Sequence, residues 1–267
     1  MEKEQLELAP HSALALSAAM RLPLSDLFSR IRAIAAREEM LTPFLRQELE
    51  ALLRDSYCLL RLADSLAAAE DYELTETAAE AFPLWQELER GLEAARLLLG
   101  ADGHTLRYEL PEEGDLLRGD AEMLMRAVLH LICNGLAAGD VAAPVTVRGS
   151  TAGSFAIITV TDEGRGIPPE QMEAVFTPYE SRDRDGLPYQ SPGLGLPLAR
   201  RVLEAHGGSL RLVSGENGTT AICSLPLYKG AEVALRHPAP RYLDDLYSPI
   251  YTVLCDYLTP PWPYPEN

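Results

Sequence analysis

Apolar positions recur with two periods along this chain, and the change of period divides it. Between Ser12 and Glu70 the period is helical. Met20, Leu24, Leu27, Ile31 and Ile34 step by four, three, four and three, which makes a one-sided stripe. Thr42-Pro43 breaks the pattern and restarts it, with Thr42 a suitable N-cap and Pro43 fitting the first helical position. Beyond it Leu45, Leu52, Leu59 and Leu66 repeat at heptad spacing. Two such helices joined by a short turn make an antiparallel hairpin. A hairpin alone buries too little, so pairing with a second copy into a four-helix bundle, through residues 12–70, is the expected completion.

Further on the elements shorten and the period alternates. Tyr72 to Gly100 reads as a connector and an amphipathic helix with Leu84, Leu88, Leu92 and Ala95 on one face. Thr105 to Leu110 reads as a strand and Asp120 to Ala138 as an apolar helix. Val145 to Arg148 and Phe155 to Thr161 are strands, the second ending at Asp162. Thr177 to Pro192 has charge, Gly and Pro but little periodicity, which fits a mobile lid. Leu194 to His206 is a helix closed by Gly207-Gly208, and Ser209 to Val213 and Thr219 to Leu225 complete a sheet. This order predicts an α+β protein: a helical hairpin, then an α/β sandwich with helices on one face of a mixed sheet. The expected division is 1–72 hairpin, 73–228 sandwich and 229–267 tail. The tail mixes aromatics with prolines. It reads as a poorly ordered end or a strap on its own domain, or else as a docking peptide, since Pro260 to Pro265 favours polyproline II.

Composition narrows the class. With 267 residues, 47% of them hydrophobic, the chain can bury a core. A net charge of −17 disfavours nucleic acid as a partner. The start is polar and acidic, unlike a signal peptide, and no apolar run is read as long enough to span a bilayer, so a cytoplasmic protein is expected. Cys58, Cys133, Cys223 and Cys255 form no CxxC pair. They are expected to be reduced, mostly buried thiols rather than a zinc site.

The chemistry gathers in an ordered set of motifs. Asn134 lies on the apolar helix. Asp162-Glu163-Gly164-Arg165-Gly166-Ile167-Pro168 ends a strand in a glycine turn, and Gly193-Leu194-Gly195-Leu196 opens a helix. A nucleotide needs these parts. The carboxylate accepts from an exocyclic amine, the glycines let backbone approach the ligand, and the helix start offers N–H groups to phosphate. From Leu106 to Leu227 the chain resembles the ATP-binding domain of sensor histidine kinases, the Bergerat-type fold shared with gyrase and Hsp90. Ala121 to Gly139 resembles its N box, the run at Asp162 its first glycine box, and Val175-Phe176-Thr177-Pro178-Tyr179 its F box. Gly193 to Leu196 resembles its second glycine box, and Gly218-Thr219-Thr220 its closing-strand element.

The resemblance implies ATP with Mg2+ as ligands. Asp162 would hold the adenine amine, and Asn134 would bind the magnesium ion that bridges the phosphates. Gly164 and Gly166 would shape the pocket floor, Gly193, Leu194, Gly195 and Leu196 the phosphate turn, with Phe176 and Thr219 completing the set. His130 stands one turn before Asn134, where relatives carry a second Asn or a glutamate base. It is a candidate general base, or simply a histidine hydrogen-bonded near the phosphates. No Lys or Arg follows Asn134 closely, so Arg165, Arg182 and Arg184 are candidates for meeting phosphate.

Upstream the resemblance breaks. The family carries its phospho-acceptor in a box of the form His-Glu-Leu-Arg-x-Pro-Leu. Here the matching stretch is Ala18-Ala19-Met20-Arg21-Leu22-Pro23-Leu24. Arg21, Pro23 and Leu24 agree, but Ala18 replaces the acceptor. The implied protein is a degenerate histidine kinase of two-component signalling. It would bind ATP without autophosphorylating, and would engage a response regulator or a partner kinase. The alternative is an active kinase that phosphorylates a partner in trans, or a slow ATPase.

Overall fold

The computed structural model describes residues 12–37, 41–72, 74–75, 79–112, 114–178, 193–230 and 242–260. The stretches 179–192 and 261–267 lie outside these. With them go the lid, Arg182, Arg184 and most of the proline-rich end.

Helices α1 (Ser12–Ala35) and α2 (Pro43–Asp71) form the antiparallel hairpin, and α1 runs on through Pro23. Thr42 caps α2, its Oγ1 accepting from the Leu45 N–H at 3.2 Å. Leu24, Phe28 and Ile31 bury against Leu49, Leu53, Tyr57 and Leu60. The stripe Leu27, Ile34, Leu52 and Leu59 stays exposed.

The second unit begins with β1 (Glu80–Pro83), α3 (Leu84–Ala101), β2 (Leu106–Glu109), β3 (Leu116–Gly119) and α4 (Ala121–Ala138). It continues with β4 (Val145–Ala152), β5 (Phe155–Asp162), α5 (Gly195–Ala205), β6 (Ser209–Gly215) and β7 (Gly218–Pro226). Five strands form a mixed sheet in the order β2-β4-β5-β7-β6, with β2 and β4 parallel and the other neighbours antiparallel. Alternation decides which face is covered. Ala156, Ile158 and Val160 of β5 and Ala221, Cys223 and Leu225 of β7 are buried, on the side where α4 and α5 pack. Leu84, Leu88, Leu92 and Ala95 of α3 are buried as their spacing requires. The pair β1–β3 was not anticipated. It forms a separate antiparallel ribbon.

One expectation is corrected here. Helix α4, with 18 residues, is long and apolar enough by composition to cross a membrane, so such a run does exist. It is a core helix: 61% of it is buried, because it lies between the sheet and the hairpin side of the molecule. Asp120 caps it, accepting from the Met123 N–H at 3.0 Å.

The chain ends in a packed segment, Tyr242 to Pro260, containing α6 (Pro249–Val253). Ile250, Val253, Leu254 and Leu258 are buried in the core shared with α2 and α4. Tyr57 stacks on Tyr251 with ring centroids 6.2 Å apart, and Phe28 meets Tyr247 edge-on at 5.5 Å. The segment thus covers the Phe28–Tyr57 side of the hairpin and leaves the leucine stripe open.

Candidate nucleotide site

The site opens where the end of β5, the start of α5 and one face of α4 converge. Asp162 is the last residue of β5, paired in register with Val145. Its Oδ1 accepts from the Gly164 N–H at 2.9 Å and the Thr219 N–H at 3.2 Å. Among the described residues its Oδ2 accepts no protein hydrogen bond, and Asp162 lines the pocket. Partial burial raises its pKa, against the pull of those two N–H groups.

The turn after Asp162 needs glycine at Gly166. Its φ is 68°, and a Cβ there would overlap the carbonyl oxygen of Gly215. Gly218 has φ 125°, and a Cβ there would meet the Asp162 carbonyl. The closing strand is therefore pressed directly against the end of β5. Ser214, which the sequence did not single out, ties the two turns together. Its Oγ accepts from the Ile167 N–H at 2.7 Å and lies 2.7 Å from the Thr219 hydroxyl.

Asn134 lines the pocket from α4. Its Nδ2 is buried without a hydrogen-bond partner among the described residues. A buried amide left unpaired is costly, so a ligand that engages this side chain relieves it. The oxygen of the same amide suits a hard cation that keeps most of its waters. The unpaired Nδ2 is a donor and suits a phosphate oxygen, while the amide oxygen is the atom that could ligate a Mg2+ ion. Gly166, Gly193, Gly195, Leu196 and Thr219 also line the pocket, as does the exposed Arg165. Leu131, Val160, Val175, Leu212 and Ala221 supply apolar walls suited to a base.

Four expected residues stand behind this lining. Gly164 gives its N–H to Asp162 and packs against the end of α4. Leu194 is buried at the start of α5. Phe176 lies under the Arg200 guanidinium, 5.1 Å from its ring centre. His130 is buried beneath the second glycine turn, where a Cβ on Gly195 would come within 3.2 Å of its Nδ1. Burial, with the Arg61 and Arg126 charges, pushes its pKa down to about 3, so the imidazole is neutral. Its Nε2 has no partner among the described residues.

Ala18 and Ala19 are exposed on α1. Three residues on, Arg21 donates to Asp64 Oδ1 from Nε at 3.1 Å and from Nη2 at 2.7 Å. Asp64 Oδ2 in turn accepts from Arg126 of α4 at 3.1 Å. This chain of charges joins the acceptor-box helix to the helix that carries Asn134.

The sequence and the fold are similar to those of known proteins. Residues 119–229 match the histidine kinase-, DNA gyrase B-, and HSP90-like ATPase family. The sensor protein DivL of Caulobacter vibrioides is 37% identical over 139 residues, covering 52% of this chain and 17% of that one. The sensor histidine kinase ZraS of Escherichia coli is 27% identical over 232 residues, covering 84% of this chain and 47% of that one. The full-length structure of ShkA in complex with AMPPNP superposes with a TM-score of 0.65 at 20% identity, over 84% of this chain and 47% of that one. Over residues 119–229 the chain therefore carries a domain of that ATPase type, and it is similar to sensor histidine kinases over part of their length. It spans less than half the length of these relatives.

Proposed function

We propose that this chain binds ATP with magnesium, pairs with a second copy through its hairpin, and acts in two-component signalling without a phospho-acceptor histidine of its own. The observation that carries the reading is the contrast between two sites. Asp162 and Asn134 each turn an unpaired polar atom to a shared pocket, while Ala18 offers a methyl group where the acceptor would stand.

The pocket's residues divide the work. Asp162 Oδ2 accepts from the adenine amine, while the Gly164 and Thr219 N–H groups hold Oδ1 and fix the carboxylate's direction. The apolar walls sandwich the base. The backbone at Gly193 to Leu196 and the first N–H groups of α5 face the phosphates. Asn134 would hold the magnesium ion, which supplies neutralisation of phosphate charge. Arg165 is the described cation placed to add to it. His130, neutral and outside the lining, serves better as a support for the glycine turn than as a base.

Dimerisation is supported by the leucine stripe, which remains open after the C-terminal segment has covered the other side of the hairpin. The natural partners are response-regulator receiver domains or an intact kinase. A pocket for ATP suits a cytoplasmic setting for this part of the chain.

The test is incubation with γ-labelled ATP and Mg2+, alone and with receiver domains, followed by acid and base treatment of any label. The expected result is no label on this chain. Acid-labile, base-stable label on it would falsify the acceptor-less reading. Label on an added receiver alone would favour transfer in trans.

A further inference from the structure

Cys58 on α2 and Cys255 just beyond α6 meet where the C-terminal segment crosses the hairpin. Their sulfurs are 3.5 Å apart, although the residues are 197 positions apart in the chain. Asp256 Oδ1 lies 3.4 Å from the Cys58 sulfur and 4.0 Å from the Cys255 sulfur. Its other oxygen, Oδ2, accepts from Arg61 Nη1 at 2.7 Å, and the same nitrogen donates to the Val253 carbonyl at 3.3 Å. Among the described residues this is the group of His, Cys, Asp or Glu side chains whose ligand atoms all lie within 4.8 Å of one another.

The triangle has the dimensions of a metal site. In a tetrahedral zinc site, metal–sulfur bonds of about 2.3 Å and metal–oxygen bonds of about 2.0–2.2 Å set sulfurs roughly 3.8 Å apart and sulfur and oxygen roughly 3.6 Å apart. The three observed edges differ from these by a few tenths of an ångström, which small side-chain rotations absorb. The charges also balance. Two thiolates and a carboxylate carry three negative charges, and a divalent cation with the Arg61 guanidinium carries three positive. Arg61 acts as the outer-shell partner that orients the carboxylate. Cys255 is buried and Cys58 half-buried, and three protein ligands leave one position of a tetrahedral site for water.

We propose that Cys58, Cys255 and Asp256 bind one thiophilic divalent cation of the zinc class, clamping the C-terminal segment to the hairpin. As each metal–sulfur bond forms, the S–H bond of that thiol breaks and its proton passes to solvent. The absence of CxxC spacing hides this site from sequence. Its ligands come from the two ends of the chain, and only the fold brings them together.

The experiment uses the full chain, stripped with a chelator under a phosphine reductant and titrated with Zn2+ against a chromogenic chelator, then with Co2+ by absorbance. The expected results are one ion per chain, two protons released, and a thiolate-to-cobalt band in the near ultraviolet. Cys58→Ser and Cys255→Ser should each weaken binding by more than about 100-fold, beyond what outer-shell losses cost. Cys133→Ser and Cys223→Ser should leave it unchanged. The cobalt band is read on the unmodified protein, so the test survives a variant that fails to fold. A reduced chain without that band overturns the proposal. So does uptake that Cys58→Ser leaves intact, or a Cys58–Cys255 disulfide forming with no metal affinity.

Discussion

His130 shows how one residue's surroundings set its chemistry. Its imidazole is fully buried beside two guanidinium groups, and its pKa falls to about 3. The unfolded chain binds a proton there below about pH 6.5, and the folded chain does not. Stability from this residue is therefore fully present above the unfolded pKa and is lost as pH falls below it. From pH 6.5 to 5 the loss is about 2 kcal/mol at 1.36 kcal/mol per unit. Thermal unfolding across this range should show the parent destabilised relative to His130→Asn, the variant losing the dependence. Parallel curves would mean that the imidazole is protonated in the fold. Asp162 shifts in the opposite sense for a carboxylate. Burial raises its pKa, so the ionised form, the one proposed to accept from an adenine amine, is lost at a higher pH than for an ordinary Asp.

At the scale of elements, the hairpin presents two apolar stripes with different fates. Leu24, Phe28, Ile31, Leu49, Leu53 and Tyr57 close the hairpin on itself, while Leu27, Ile34, Leu52 and Leu59 remain exposed. Leu52→Glu with Leu59→Glu should convert a dimer into a monomer in sedimentation at micromolar concentration, with unchanged circular dichroism. A parent already monomeric would contradict the assignment of that face. Thr42→Ala removes the cap of α2 and should lower hairpin stability by about 1 kcal/mol, read as a reduced melting temperature. These helices were legible in sequence because their apolar stripes are long and Thr42-Pro43 marks the start of the second. The ribbon β1–β3 was not. Each strand has four residues, too few for alternation to speak, and Pro83 argues against a strand. In the pocket Asp162, Asn134 and the glycines were legible through their order along the chain. Ser214 was not, since a serine on an edge strand carries no signal until the Ile167 and Thr219 turns close around it.

Across the whole molecule, the C-terminal segment makes one body of the hairpin and the ATP-binding domain. Arg61 of α2 bonds to Val253 and Asp256, Cys133 of α4 donates to the Val253 carbonyl, and Tyr257 donates to the Cys133 carbonyl. Composition left this stretch open between a poorly ordered end, a strap on its own domain and a docking peptide. Its partners lie on helices far away in sequence, so its burial could not be read locally. Deleting residues 242–267 uncovers Phe28, Tyr57 and the core around α6. At about 1.5–3 kcal/mol for each large apolar side chain removed from cover, the loss is several kcal/mol. The truncated chain should melt well below the parent. An unchanged melting temperature would show that the segment does not pack as described.

The central claim is that one nucleotide pocket is built on Asp162. Calorimetric titration of the full chain and of Asp162→Asn with ATP and Mg2+ tests it most directly. The parent should bind one ATP per chain. The variant sets an amide in place of the acceptor that faces the adenine amine, and should bind about 1–3 kcal/mol more weakly, roughly five- to 150-fold. Equal affinities for the two proteins, or no binding by the parent, would contradict the account.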